Sequence, residues 1–230
     1  MQRARTVLIM FIAIIAVIST AACSPATRYA VNMTTEPVRN VTPAGDQIKG
    51  IPMTVAAFND TRTLADKSVV GAVIKAGGEQ LPIFVINTTP AEAVSSGVKS
   101  YMTRAGYSLL NSSPAWDTKP AGISKDWGRI VIGGNIENFE ITCEKANIKA
   151  TYKTRVTLSL TLANVQKSAI IHTYRVQGES NRSDVNMTED DLRKHLSIEV
   201  NNAVTDAIEK LIDPKSINEK ILGAIGEKKP

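Results

Sequence analysis

The most regular hydrophobic pattern in the chain lies over residues 155–162, where large aliphatic residues alternate with polar ones. This alternation is typical of a β-strand with one face in the core and the other towards water or a partner. Two apolar runs within residues 63–88, separated by Gly77-Gly78, predict a hairpin or an extended excursion. Less regular alternation predicts further strands over residues 51–58, 107–110, 129–143 and 170–176.

The long strand predicted over residues 129–143 changes its apolar parity part of the way along. Ile136 belongs to the first apolar set and Phe139 to the second, and the two sets are out of step by one residue. A slip of one residue would turn one set outward, so an extra residue must be accommodated. We expect a β-bulge or bend at residues 133–134 or 137–138.

Two helices are predicted by capping signals that precede apolar residues at three- and four-residue steps. The first begins at Thr89-Pro90, because threonine is a good cap and proline suits the first helical position, and it ends at Gly106. The second follows Thr188 and is stopped by Pro214. Each helix is apolar along one stripe, so both pack most simply on one face of the sheet.

Composition favours a single domain over residues 50–230. Hydrophobic residues make up 43% of the chain and aromatic residues only 5%, so the core must be mainly aliphatic. We predict an α+β fold with a mixed, largely antiparallel sheet and two amphipathic helices packed on one face. The net charge of +5 is mild and the basic residues are dispersed, which argues against nucleic acid as a partner.

Residues 1–22 have the parts of an export signal. A short basic segment precedes twelve apolar residues at 7–18, and small residues lead into Cys23. Such a run is too short to span a bilayer, which takes about 20 apolar residues, so a cleaved signal peptide is favoured over a retained anchor helix.

The segment Thr20-Ala21-Ala22-Cys23 resembles the lipobox of bacterial lipoproteins, in which a cysteine thiol takes a diacylglyceryl group before cleavage. The resemblance implies that the mature chain begins at Cys23 and reaches the membrane through acyl chains, which anchor a protein stably when two or more are present. Residues 23–49 are rich in proline and small polar residues, so we predict a lipidated N-terminus followed by a flexible tether.

The residue after the cysteine bears on location. Ser24 stands where an aspartate would favour retention in the inner membrane of enterobacteria-like species. The lipobox resemblance therefore implies the periplasmic face of the outer membrane, with the outer face of the inner membrane as the alternative.

Residues suited to catalysis or metal binding are few. Most nucleophilic triads and zinc sites need histidine, and the chain has only His172 and His195, without a His-x-x-x-His spacing. His172 shares its strand parity with apolar residues and is interpreted as structural. Cys143 is interpreted as a buried or half-buried thiol. We therefore expect no enzyme, no cofactor and no metal site.

Asp60 and Arg62 follow the first predicted strand and have two interpretations. They form either a contact for a partner or ligand, or an ordinary turn in which Asp60 hydrogen-bonds its own backbone. Gly133-Gly134 is followed by no lysine or helix start, so a bend in a strand is favoured over phosphate binding.

Four segments resemble the YajG-like family of envelope lipoproteins, whose domain is similar to the N-terminal domain of TolB and to related outer-membrane assembly lipoproteins. The resemblance covers about residues 50–213 and implies an envelope lipoprotein with an α+β domain. The segments are residues 51–58 with Asp60-x-Arg62, the helix end Arg104-Ala105-Gly106-Tyr107, the run Gly133-Gly134-Asn135-Ile136-Glu137-Asn138-Phe139, and residues 155–162.

These patterns lead to two hypotheses about function. The first is a non-enzymatic, lipid-anchored, periplasm-facing lipoprotein that supports envelope structure or assembly through protein partners. The alternative is a ligand carrier in envelope lipid or polysaccharide trafficking, which would bind between the helices and the sheet. Association into homo-oligomers is left open.

Overall fold

The computed structural model describes residues 29–34 and 41–226. Within these ranges the chain forms eight strands and three α-helices, with short 3₁₀ turns at Asp46–Ile48 and Pro120–Gly122. The elements are β1 (Tyr29–Asn32), β2 (Met53–Val55), β3 (Asn59–Asp60), β4 (Val69–Lys75), β5 (Gln80–Ile86), α1 (Pro90–Ala105), β6 (Ile130–Lys145), β7 (Lys149–Asn164), β8 (Ala169–Val185), α2 (Glu189–Leu211) and α3 (Pro214–Ile225).

All eight strands belong to one mixed sheet, whose main order is β1-β5-β4-β6-β7-β8. β6, β7 and β8 form a long antiparallel meander, and β4 and β5 form the expected hairpin. β2 and β3 pair in parallel with the first half of β6, and β4 pairs with its second half. The predicted α+β fold with a largely antiparallel mixed sheet is confirmed.

The predicted helix ends are confirmed in detail. At the start of α1 the Thr89 hydroxyl accepts the Glu92 N–H at 3.2 Å, and the Glu92 carboxylate accepts the Thr89 N–H at 2.9 Å. Thr188 and Asp191 form the same capping box on α2. α1 ends at Gly106, whose φ of 92° is the left-handed conformation that glycine adopts without strain.

The helices lie on one face of the sheet in close contact. α2 lies close against β8 at Gly178, where an added Cβ would lie 2.2 Å from the Ala203 carbonyl oxygen. α1 packs against α2 through Gly97, which leaves room for the Ile208 side chain. The largest buried cluster fills the space between these helices and the sheet.

The opposite face of the sheet carries a second, smaller core. The long loop between α1 and β6 places Trp116 and Trp127 in an edge-to-face pair, with ring centroids 6.4 Å apart. Both rings are buried, as expected for aromatic residues that cover an edge of the core. Gly133 leaves room for Trp116 on this face, and Gly134 leaves room for Phe58 on the other.

The bulge lies at the second of the two expected positions, between Ile136 and Asn138. Gly133-Gly134 holds no bulge, because both residues keep regular pairing with β7. The polar side of β7 was expected to meet water or a partner. This holds for Arg155, which is exposed, and is wrong for Thr157, Ser159 and Thr161, which are buried. Thr161 lies within hydrogen-bonding distance of Thr173 on the neighbouring strand.

The N-terminal part of the chain differs from the prediction where it is described. The tether predicted for residues 23–49 is wrong for 29–34 and 41–49, because β1 pairs with β5 and Tyr29 and Ile48 are buried. The missed signal is a short period of two, with apolar residues at 29, 31 and 33 among many polar ones.

Two strand predictions near this region need correction, and the two predictions for the first 23 residues lie outside the described chain. The strand expected over residues 51–58 is shortened to β2, with an isolated bridge at Ala57, and β3 follows it at Asn59–Asp60. Residues 107–110 form only an isolated bridge at Leu109. The signal peptide over residues 1–22 and the lipidation site Cys23 lie outside the described residues. Among the helices that are described, none is long and apolar enough to cross a membrane.

Candidate functional site

The candidate site is a break in the pairing of β6 beside its bulge. β3 pairs with β6 as far as Ile136, and β4 takes over from Ile141. Between these points no described strand pairs with that side of β6. The loop that joins β3 to β4 crosses the break, and it contains Arg62.

Arg62 fills the break with a buried guanidinium group. Its Nε and Nη2 donate to the two carboxylate oxygens of Asp60 at 2.9 and 2.6 Å. Nη1 donates to the Val69 carbonyl at 2.8 Å, and Nη2 also donates to the Lys67 carbonyl at 2.6 Å. The guanidinium carbon lies 5.8 Å from the centre of the Phe139 ring, within range of a cation–π contact.

Asp60 also accepts the backbone N–H of Arg62 at 3.2 Å, which is the turn geometry considered from the sequence. Burial opposes ionisation of this carboxyl, but its hydrogen bonds and charge attraction to Arg62 hold its pKa below the usual range. The Lys67 ammonium group donates to the Arg62 carbonyl and lies 3.9 Å from Asp60. Both members of the predicted pair are therefore engaged with their own loop.

The surface available to a partner is the groove beside this pair rather than its charged atoms. The groove has a volume of about 310 Å³. Leu64, 43% exposed, forms one side. Glu137 forms part of the other side and accepts a hydrogen bond from Arg175 at 2.5 Å. The arrangement suits an apolar group flanked by polar or basic ones, and sequence reasoning did not identify Leu64.

A larger groove lies between α3 and the first residues of β8. It has a volume of about 450 Å³ and is lined by apolar residues such as Ile170 and Ala224, with Lys167 and Lys220 at its margin. This volume is within the range of small-molecule sites. It is also a place where a helix meets the sheet, as the carrier hypothesis requires.

The other residues considered from the sequence are separated in the fold. His172 is half-buried on β8 and lies edge-to-face with Tyr174, their ring centroids 4.4 Å apart. His195 is on α2, where its Nδ1 lies 3.0 Å from a carboxylate oxygen of Asp184. The described residues contain no group of three or more potential metal ligands.

Cys143 is fully buried on β6. Burial raises the pKa of its thiol to about 12. Since the thiolate is the reactive form, this cysteine is inert in the folded protein. The structure thus agrees with a buried thiol at this position.

The comparisons with known proteins concern the fold. No family model matches the chain, and no curated protein matches its sequence. Among solved structures, a Xanthomonas campestris protein of the DUF330 family has a TM-score of 0.47 at 11% identity, covering 87% of this chain and 98% of that one. Protein CT253 from Chlamydia trachomatis has a TM-score of 0.47 at 9% identity, covering 76% and 99%.

The structural neighbours also include a bacterial lipoprotein. Lipoprotein GNA1162 from Neisseria meningitidis has a TM-score of 0.31 at 12% identity, covering 65% of this chain and 94% of that one. At these identities and TM-scores the likeness carries no functional argument for this chain. The resemblance to the YajG-like family stays a prediction.

Proposed function

We propose that this chain is a non-enzymatic envelope lipoprotein of the YajG-like type. It is exported, acylated at Cys23 and held at the periplasmic face of the outer membrane, where it supports envelope structure or assembly by binding protein partners. The outer face of the inner membrane is the alternative location.

The short separation between Cys23 and the first strand supports the proposal independently of the lipobox. Cys23 precedes Tyr29 by only six positions, and Tyr29 is the first residue of a strand that pairs with β5. Its hydroxyl donates to the Glu189 carboxylate at 3.1 Å, which joins this strand to the start of α2. An acylated cysteine would therefore connect directly to the folded sheet, so membrane attachment holds the domain itself close to the bilayer.

The groove beside Arg62 is the partner surface that we propose. Leu64 presents an exposed apolar group beside the carboxylate of Glu137. A protein segment with an apolar side chain next to a lysine or arginine has the complementary chemistry. The buried Asp60–Arg62 pair would hold the loop in shape for this contact.

Acylation is tested by metabolic labelling with a fatty-acid probe, followed by membrane fractionation. The wild-type protein is expected to carry the label and to sediment with membranes. The Cys23→Ala variant is expected to lose both properties. A variant that lacks label yet stays membrane-bound would show that the anchor is elsewhere.

Partner binding is tested by placing a photo-crosslinking residue at Leu64 in the full-length protein in cells. Ile86 is a matched control, because it is a large aliphatic residue of nearly equal exposure, 40% against 43%. We expect one discrete crosslinked protein at position 64, absent at 86 and lost when Glu137 is changed to Lys. Equal products at both positions would argue against a specific groove contact.

The groove between α3 and β8 favours a second candidate, a ligand carrier in envelope lipid or polysaccharide trafficking. Its volume of about 450 Å³ is open to solvent beside Ile170, so a ligand would bury part of an acyl chain or glycan there. Native mass spectrometry of protein purified from membranes would show a bound lipid or glycan, lost in Gly223→Trp. Protein free of both would remove the support for this candidate.

A further inference from the structure

The two most exposed large hydrophobic residues of the described chain are neighbours at one end of the sheet. Ile148 is 70% exposed in the turn between β6 and β7, and Val185 is 63% exposed at the end of β8. The backbone N–H of Asn186 donates to the Ile148 carbonyl at 2.9 Å, which ties the turn to the end of β8. We call Ile148 and Val185 the apolar tip.

The chain enters the domain at this same end. Glu189, at the start of α2, accepts hydrogen bonds from Tyr29 in β1 and from Lys145 at the end of β6. Lys145 lies three residues before Ile148 in the sequence. The start of β1, the end of β6 and the start of α2 are therefore joined near this surface by hydrogen bonds to Glu189.

The distance from this surface to the lipidation site is limited by covalent geometry. Five residues lie between Cys23 and Tyr29. An extended chain advances at most about 3.6 Å per residue, so Cys23 lies within about 22 Å of Tyr29 in any conformation. Through β5, β4 and β6, the strand register places Tyr29 level with Thr154 in β7. The start of β7, next to Ile148, is five residues or roughly 17 Å from that level, and the opposite end of β7 is ten residues or roughly 33 Å from it.

We propose that the apolar tip rests in the surface of the phospholipid bilayer that holds the acyl chains of Cys23. The inference rests on the proposed acylation and adds an orientation, with the strands of the meander pointing away from the membrane. Exposed aliphatic side chains beside a lipid anchor add buried apolar area without a transmembrane segment.

The charged residues around the apolar tip indicate whether its contact with the bilayer is apolar or electrostatic. Lys75 pairs with Glu79 at 2.9 Å, and Lys153 pairs with Glu144 at 3.6 Å. Lys145 is paired with Glu189. Carboxylates offset these three lysines, and the exposed Lys149 beside Ile148 stands outside these pairs. The tip therefore carries one such positive charge rather than a concentrated patch that would attract anionic lipid. The contact is therefore apolar and insensitive to salt.

The test uses the full-length acylated protein reconstituted in vesicles of phosphatidylethanolamine and phosphatidylglycerol. An environment-sensitive fluorophore is attached to Ile148→Cys or Val185→Cys, and Gln166→Cys in the β7–β8 turn is the matched control. The buried thiol of Cys143 does not compete for the label. Flotation with the vesicles is measured first, followed by emission and by quenching with lipid-attached nitroxides.

We expect all three labelled proteins to float. Positions 148 and 185 are expected to show blue-shifted emission and quenching, unchanged at about 1 M salt, where charge attraction is screened. Position 166 is expected to behave as in water.

Other outcomes separate the two proposals. Floating protein with water-like emission at 148 and 185 would overturn the orientation and leave the lipid anchor intact, whereas protein that fails to float would overturn both. A blue shift that grows with the number of proteins per vesicle, without quenching by the lipid nitroxides, would show that a second copy covers the tip. That result would contradict the proposal. Loss of quenching in salt would contradict an apolar contact.

Discussion

Asp206 on α2 accepts the backbone N–H of Glu179 on the edge strand β8, at 2.9 Å. One turn later Lys210 donates to the carbonyl of Gln177 at 3.2 Å and pairs with Asp206 at 2.7 Å. An edge strand of 17 residues offers backbone groups that can pair with another chain. These two side chains occupy such groups in the middle of β8.

Removing this protection should cause self-association. We expect the double variant Asp206→Ala, Lys210→Ala to form soluble oligomers or aggregates at concentrations where the wild-type protein is unchanged, because β8 gains free donors and acceptors. Light scattering against concentration measures the effect. Lys194→Ala, on the exposed face of the same helix, is the control and should scatter like the wild type. Equal scattering by both variants would refute a protective role.

Arg62 should be among the most important polar residues for stability. Truncating one partner of a buried, hydrogen-bonded ion pair leaves the other charge uncompensated and costs about 3–5 kcal/mol. We therefore expect Arg62→Ala to lower the free energy of unfolding by about this amount in urea titrations. Lys49→Ala removes a solvent-exposed pair with Asp46 and should leave the urea midpoint unchanged.

The Asp60–Arg62 pair also predicts a dependence on pH. The pKa of Asp60 is lower in the folded protein than in the unfolded chain, where aspartate titrates near about 3.9. The stabilisation is therefore present above that value and is lost as the pH falls through the folded pKa. The free energy of unfolding of Asp60→Asn should be lower than that of the wild type at neutral pH. Between about pH 4 and 2 it should fall by less than that of the wild type, because the variant has no carboxylate to protonate at this position.

Two glycines should respond to alanine in opposite directions. Gly178→Ala drives a methyl group into the backbone of α2 and should destabilise the fold by about 1–3 kcal/mol, as overpacking does. Gly223 lies inside α3 with open space around its α-carbon, so Gly223→Ala should stabilise the protein by about 0.5–1 kcal/mol. Thermal melts distinguish the two. A Gly178→Ala variant as stable as the wild type or more stable would contradict the packing of α2 on β8.

Local sequence signals were sufficient for much of the fold. The capping boxes at Thr89 and Thr188 depend on residues three positions apart, so they could be identified without tertiary information. The parity change between Ile136 and Phe139 limited the bulge to two positions, because one extra residue restores both apolar sets to the core, and the second of these positions is the observed one.

Features that depend on distant partners could not be predicted in this way. β1 is only four residues long and has the small Ala30 and the polar Asn32 at its alternate positions, and it becomes a strand because β5 supplies its hydrogen bonds. Gly133 resembled a bend because the sequence does not reveal that Trp116 lies over it. The buried state of Arg62 depends on the carbonyl groups of Lys67 in the following loop and of Val69 at the start of β4, so the pattern around Asp60 allowed both interpretations.

The most direct test of the account is the mass of the first tryptic peptide of protein purified from membranes. Cleavage at Arg28 should release residues 23–28 with a diacylglyceryl thioether on Cys23 and an acyl group on its amine. The same sample should contain one titratable thiol after denaturation, that of Cys143. An unmodified peptide of residues 6–28, together with two thiols, would show that the chain is neither cleaved nor acylated and would contradict the central claim.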